Sequence, residues 1–551
     1  MATSPAREFF SLFGAHNQPG NEEKLLKIIL VAPTPLDISA FGVRALSAYL
    51  QAHGHQVGVI LLPEGVERLK YRQDYYYQYK PELLAEVAEL CRDAELIGIS
   101  VMTHYFDRSR QITAYLKKTL NIPVIWGGIH PTVRPEESLN YADMALVGEG
   151  EEALLELVEN MAAGRDIHGV RNVWFKNGAE IIRNPLRPLL QDLDQLPFYD
   201  LGPDDHYIYC NRTKRIKPVT KELLMHNFPR EPALEGTFSD SYRRTISYKT
   251  MTSRGCPHHC TFCAERTLAL MYKGERYLRF RSAEHVIAEL KLVKQELPFI
   301  ESIFLFDDTF TARPLKDIKH FSQLYKKEID LPIHIQASPT TITPEKIEAL
   351  IDAGLFFVEM GIQSISQTGM TVYKREIKPE KILQAANLLH NYVTKISPPC
   401  YHVILDNPWE TTAEVLQTLD LVLRLPRPFW LKRASLILFP GTELYERAVR
   451  EGLIRNQEDE RQLIYNKHLH TPEGSYVNFL MYLAGFSYFP RWVLRLLVRP
   501  QFVRALEDDH LHKFFCALQR LGDGLIVLYK GVRALLMGDF QRIRNYLAKA
   551  S

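Results

Sequence analysis

Long apolar runs are missing from this chain of 551 residues. The nearest approach, "YVNFLMYLAGFSYF" at 476–489, falls short of the roughly 18 to 20 uninterrupted apolar residues that a spanning helix needs. The N-terminus, "MATSPAREFFSLFGAHNQPGNEEK", has no apolar core of the signal-peptide kind. Charge of one sign is scarce too. The formal net charge is +2 with 24% charged residues, so nucleic acid finds no bulk electrostatic attraction and is not expected as a partner. Of only seven cysteines, Cys91, Cys210, Cys400 and Cys516 stand singly, which is not a disulfide framework. A reducing, cytoplasmic location is expected. No GxGxxG follows the first strand-like run, which weakens a dinucleotide-binding reading.

What is present divides the chain into four expected regions. Over 25–163, apolar runs such as "KIILVAP", "HQVGVILL", "LIGISVM", "IPVIWGG" and "MALVGEG" alternate with helical spacing such as "AFGVRALSAYLQAHGH". Five short buried strands in a βαβ rhythm predict a doubly wound, Rossmann-like α/β domain with its ligand crevice beyond the strands' carboxyl ends. Those ends carry Pro33, Thr34, Met102, Thr103, Gly127, Gly128, His130, Gly148 and Glu149. A flavodoxin-like domain without cofactor, or a nucleotide binder, would show the same pattern. Residues 164–244 read as linker and insertion, with a hairpin at Asn177-Gly178. From 245 to 452 a second βα series has strand candidates "ISYKTMTS", "SIFLFDD", "IHIQAS", "FFVEMGIQS", "CYHVILDN" and "ASLILFPG". Six units suit an open (βα)6 partial barrel of the TIM type, with working groups at the strands' carboxyl ends. Residues 453–551 read as helical and amphipathic. The apolar stretch at 476–500 fits a buried helix pair, interfacial membrane contact or an apolar substrate tunnel.

The remaining three cysteines crowd into "SRGCPHHCTFCAE" as Cys256, Cys260 and Cys263, directly after the first barrel strand. A structural zinc site takes four closed ligands, and no second CxxC or HxxxH pair occurs. Three thiolates fit a [4Fe–4S] cluster better, because each iron takes one external ligand and the fourth iron stays open.

CxxxCxxC with an aromatic residue, Phe262, before its last cysteine resembles the signature of radical S-adenosylmethionine (SAM) enzymes. The resemblance implies that SAM chelates the open iron and is cleaved reductively to a 5′-deoxyadenosyl radical, with an external one-electron reductant such as a flavodoxin or ferredoxin. "VEMGIQSIS" resembles the family's element that lies against SAM, which implies Glu359, Gln363 and Ser364 as contacts. "FLFDDTF", "HIQAS" and "VILDNPWETTAE" offer Asp307, Ser338 and Asp406 at further strand ends. The last resembles a G-x-P-x-E-T element, with Asp406 and Asn407 where a glycine commonly stands. Helix caps or rim hydrogen bonds are the other roles open to these polar residues. Cys400 opens a strand, at the end far from the cluster, and reads as core.

With "WGGIHPTVRPEE" and "VGEGEEAL" in the first domain, the chain resembles the cobalamin (B12)-binding class of radical SAM enzymes, over roughly residues 25 to 455. In that class the crevice residues named above would meet cobalamin. The DxHxxG element that supplies a histidine to cobalt is absent, and His53 and His55 lie at a helix end. Bound cobalamin would therefore have its base displaced and no histidine ligand.

The resemblance implies methyl transfer through methylcobalamin to a carbon activated by the 5′-deoxyadenosyl radical. Related members instead perform ring closure, ring contraction or carbon–carbon coupling, which stands as the alternative. A non-catalytic cobalamin or iron–sulfur sensor would require a signalling module that the sequence does not display. No catalytic side chain stands out. Tyr207, Tyr209 and Phe228, with the stretch 476–500, hint at a small-molecule or lipid-like substrate such as a lipid, isoprenoid or tetrapyrrole, with a peptide or small natural product equally open, and the C-terminal stretch alone hints at peripheral membrane contact.

Overall fold

The structure, a computed structural model, describes residues 24–33, 38–63, 65–68, 77–231, 245–466 and 472–536. Two compact units divide the chain: Met1–Pro229 with Thr267–Ser282, and Arg230–Arg266 with Ala283–Ser551.

In the first unit the aliphatic runs form the centre of a nine-stranded sheet. Its central strands are parallel, in the order Gln56–Leu61, Lys27–Ala32, Leu96–Ser100, Val124–Gly127 and Met144–Leu146. Lys27–Ala32 is buried at every position but its first, as a strand covered on both faces must be. The order reverses between Lys27–Ala32 and Leu96–Ser100, so the topological switch point lies at Pro33 and Met102.

The stretch 164–244, expected as linker and insertion, lengthens this sheet over its described part. Val173–Asn177 and Glu180–Ile182 form the hairpin around Gly178, and Val173–Asn177 pairs antiparallel with Met144–Leu146. His206–Cys210 runs parallel to Gln56–Leu61, and Arg215–Pro218 turns back against it. These edge strands are short and polar on one side, so no apolar run marked them. Asp200 fastens the stretch to helix Phe41–Ala52. Its carboxylate accepts from Ser47 (2.5 Å), Gln51 (3.0 Å) and His206 (2.9 Å), and its carbonyl from Arg44. Tyr209 and Phe228 are buried and belong to the core, not to an aromatic substrate surface.

The second unit holds six parallel strands in chain order: Thr245–Thr250, Ser302–Leu305, Ile333–Ala337, Leu355–Gln363, Cys400–Leu405 and Trp430–Ser435. Helices Ala283–Glu296, Leu315–Glu328, Pro344–Ala353, Pro379–His390 and Thr412–Arg424 separate them. This is the curled, open half-barrel. Side chains alternate between the two faces with the pleat. Ile303, Leu305, Ile335, Val358, Met360, Tyr401 and Val403 are sealed, and Tyr248 donates its hydroxyl to Glu289 of helix Ala283–Glu296 at 2.7 Å. The intervening positions form the other, concave face.

The sixth strand departs from expectation. The run "ASLILFPG" is apolar because Leu436 and Leu438 pack with Val372, Tyr373, Leu444 and Tyr445, while the strand itself is Trp430–Ser435. Beyond the barrel, helix Tyr476–Ala484 packs on Thr412–Arg424 and on that last strand, and most of its side chains are buried. Among the described residues no helix is long and apolar enough to cross a membrane.

Candidate active site

The cysteine loop starts where the first barrel strand ends, and Asp307 fixes that start. Its fully buried carboxylate accepts from the amides of Thr252 (2.5 Å) and Ser253 (2.9 Å) and from the Thr252 hydroxyl, while Arg313 donates to Thr252. Burial pushes the Asp307 carboxyl up, against the pull of Arg313 and these donors. Asp307 therefore supports the loop from behind and is not a SAM contact in this arrangement.

The far side of the loop is pinned as well. Thr261 donates its amide to the Tyr373 carbonyl (3.1 Å) and its hydroxyl to Val372, Leu444 donates to the Thr261 carbonyl, and Phe262 packs edge-on against Tyr373. Arg266 is paired with Glu443 at 2.7 Å. Burial pushes the Cys256 thiol up to about 11 and that of Cys263 further. Binding a metal at these thiols displaces their protons.

Among the described residues no three His, Cys, Asp or Glu side chains converge as they would on a single ion. That disfavours one tetrahedral zinc. It suits a cuboidal cluster, in which each thiolate serves a different iron. Two buried donors beside the thiols lack acceptors, Nε of Arg375 and Nε2 of His258. The rest of the Arg375 guanidinium donates to Cys260 Sγ (3.5 Å), Ser338 Oγ (3.3 Å) and the Gly361 carbonyl (3.1 Å). Burial and neighbouring Arg375 push His258 down to about 4, so its imidazole is neutral near pH 7. An unmet N–H next to open thiols fits an iron–sulfur cluster with an anionic cosubstrate group beside it. Sequence reasoning missed Arg375, whose setting "VYKREI" has no spacing to mark it. Burial, with Glu265 alongside, also pushes Asp308 upward near Cys256.

The fourth strand and the turn after it separate the three expected contacts. Gln363 adopts φ +71, and its amide nitrogen lies 2.7 Å from where a side chain on Gly361 would begin, with Arg375 at 3.5 Å. Gln363, Ser338 and Arg375 thus gather beside Cys260. Ser364 points elsewhere: its hydroxyl donates to Glu410 at 2.7 Å, in a buried group with Ser366, Asn407 and Thr418. Asp406 is likewise engaged. It accepts from Ser435 (2.5 Å), Asn478 (2.6 Å) and the Glu473 amide (3.0 Å), which docks the C-terminal helices. Its φ of +58 explains why a glycine commonly stands there. Glu359 lies deeper on the concave face, 3.1 Å from His402 and 3.5 Å from His334.

In the first unit, Pro33 is buried at the end of its strand, and Thr34 lies outside the described residues. Met102 is 46% exposed at the switch point, an apolar contact for a flat ligand. Gly127, with ordinary space above it, and Gly128, at φ +105 and where a Cβ would lie 3.0 Å from the Val101 carbonyl oxygen, carry the chain around the end of the fourth strand. Thr103 and His130 are buried beneath this edge, their side chains 3.4 Å apart. Burial drives His130 down to about 3, so it stays neutral. The cradle at Gly148 is filled by the chain itself, since a Cβ there would lie 2.1 Å from the Tyr272 hydroxyl. Glu149 is paired with the fully buried guanidinium of Arg279, which also donates to the Leu190 carbonyl at 2.7 Å. His55 is buried with its ring against the Leu26 amide, and His53 caps its helix on the Tyr49 carbonyl.

Two family models match the chain. The B12 binding domain matches residues 27–158 and the radical SAM superfamily matches residues 250–422. An uncharacterized methyltransferase of Pyrococcus horikoshii is 26% identical over 67% of this chain and 73% of its own length. The anaerobic magnesium-protoporphyrin IX monomethyl ester cyclase of Rubrivivax gelatinosus is 25% identical over 64% of this chain and 58% of its own. The fold is shared with a radical SAM methyltransferase from Kitasatospora setae solved with tryptophan and a SAM analogue, at TM-score 0.59 and 18% identity over 78% of this chain and 77% of that one. With a B12-binding domain leading into a radical SAM half-barrel, the chain belongs to the cobalamin-binding radical SAM enzymes.

Proposed function

We propose that this protein is a C-methyltransferase that acts on an unactivated C–H bond of a small-molecule or lipid-like substrate, drawing electrons from a flavodoxin- or ferredoxin-type donor. The observation that carries it is the loop with Cys256, Cys260 and Cys263 at the carboxyl end of the first barrel strand. When bound, the cluster would supply the electron that splits SAM and cobalamin would supply the methyl group. The three thiolates would hold the cluster, and the free N–H of Arg375 would meet a carboxylate of the cosubstrate beside Ser338 and Gln363. Pro33, Met102 and Gly128 would border cobalamin. Asp307, Ser364, Asp406 and Glu149 would keep those loops in place without touching a cofactor. The methyltransferase names of the relatives from Pyrococcus and Kitasatospora support the methyl-transfer reading. The Rubrivivax relative supports ring closure as the alternative.

The test is anaerobic reconstitution with SAM labelled in its methyl group. Formation of 5′-deoxyadenosine, with label in the product, is the expected result, and Cys260→Ala should lose both the iron and that activity. Product that carries no label would favour ring closure or coupling, and wild-type protein that forms no 5′-deoxyadenosine would refute the reading altogether.

Peripheral membrane contact is supported by a separate observation. On helix His512–Leu536, Leu521, Leu525 and Leu528 are each more than half exposed at helical spacing, and Tyr488 and Trp492 are 70% exposed beside Arg491 and Arg495.

A further inference from the structure

The inside of a small α/β barrel is ordinarily filled by bulky branched side chains. Here one residue from each of the six strands, five of them polar and one a phenylalanine, forms a continuous row across the concave face. Lys249 of the first strand lies over the ring of Phe304 on the second, with 5.7 Å from Nζ to the centroid. Phe304 stacks on His334 of the third strand at 3.5 Å and 12°. His334 is 3.5 Å from Glu359 on the fourth, and Glu359 is 3.1 Å from His402 on the fifth and 3.9 Å from Lys432 on the sixth. On the second to fifth strands the flanking residues are sealed and apolar, so the row belongs to the face turned from the helices.

Placing charge inside a fold is costly unless partners satisfy it. The row is uneven in that respect. Glu359 is well served, with two imidazoles and an ammonium around it, and they hold its carboxyl well below the usual range despite its burial. Lys432 is not. It reaches Glu359 only at 3.9 Å and keeps 43% of its side chain exposed, and neighbouring His402 keeps 22%. Of the six, Lys249, His402 and Lys432 lie outside the SAM-related stretches, while Phe304, His334 and Glu359 fall within them, and the ion-pair contacts of Glu359 are all with this row.

We propose that the row is the site for an acidic group of the substrate, a carboxylate or phosphate, with Lys432 and His402 as its contacts and Glu359 holding them in place. This rests on the half-barrel being the reaction chamber, as argued above. It narrows the substrate to an acid and accounts for a charged lumen in a chain whose net charge is near zero.

Anaerobically reconstituted protein, with its cluster and SAM, would be titrated calorimetrically with inorganic phosphate, with benzoate and with benzamide, the uncharged counterpart of benzoate. Binding of at least one anion and none of benzamide is expected. Lys432→Met should weaken anion binding by roughly tenfold or more, as loss of a charge-assisted hydrogen bond does. Lys432→Arg should retain most of it. Lys291→Met, which takes the same charge from the exposed pair with Glu328, should leave it unchanged. The two anions separate a phosphate site from a carboxylate site. Equal binding of benzoate and benzamide, no anion binding by the wild type, or undiminished binding by Lys432→Met with the fold intact by circular dichroism would each overturn the proposal. Failure of the radical SAM reading would appear separately, as wild-type samples without iron or 5′-deoxyadenosine.

Discussion

Arg375 acts at the residue scale through charge and through one unmet N–H. Replacing it with Met leaves all three thiols in place, so iron content should persist while SAM affinity falls roughly ten- to a hundredfold, the usual cost of a lost hydrogen bond to an ionised group. Equilibrium dialysis with reconstituted protein measures both. Asp200 gives a pH signature. Desolvation pushes its carboxyl up, yet His206, Ser47 and Arg44 outweigh it and hold the carboxyl below its ordinary value of 3.8. A depressed folded value means that Asp200 stabilises the fold at higher pH and loses that contribution as the pH falls through the lowered value. Acid unfolding of the wild type should therefore steepen below about pH 4, and Asp200→Asn should be less stable at pH 7 and show a shallower acid limb in circular dichroism.

At the scale of elements, one aspartate decides how the last helices are held. Asp406→Gly would relieve a left-handed backbone but strand Ser435, Asn478 and the Glu473 amide. A net loss of about 1–3 kcal/mol is expected in chemical denaturation, with earlier proteolysis beyond residue 453. The same elements show what a sequence can disclose. Repeated aliphatic runs betray buried parallel strands because both of their faces are covered, and three thiols within eight residues declare a shared metal chemistry. The edge strands at 206–218 were illegible because a one-sided, half-polar strand has no continuous run. The run at 434–441 misled because an apolar loop buried by helix Glu443–Arg450 has the composition of a strand. Asp307, Ser364, Asp406 and Glu149 sit in motifs, but a motif does not say whether a carboxylate faces a ligand or the backbone behind it. Arg375 was invisible because its partners, Cys260, Ser338 and Gly361, are distant in sequence and near only once folded.

At the scale of the whole molecule, the near-neutral charge conceals a basic, apolar stretch toward the C-terminus. Sedimentation with vesicles of phosphatidylglycerol and phosphatidylcholine should carry the protein down at low salt, less so at high salt because such attraction is screened. Leu525→Glu with Leu528→Glu should abolish it, while sedimentation with phosphatidylcholine alone should be weak. The path of the backbone has a further consequence. The chain enters the half-barrel, lays down its cysteine loop, returns to the first unit for Thr267–Ser282, and only then completes the barrel. Tyr272 and Arg279, which fill and neutralise the Gly148–Glu149 turn, are thus encoded downstream of Cys256, Cys260 and Cys263. A gene cut between the two family modules would yield an N-terminal fragment deprived of its own keystone, so modules of this enzyme cannot be exchanged at a single junction without carrying that short return strand of sequence along.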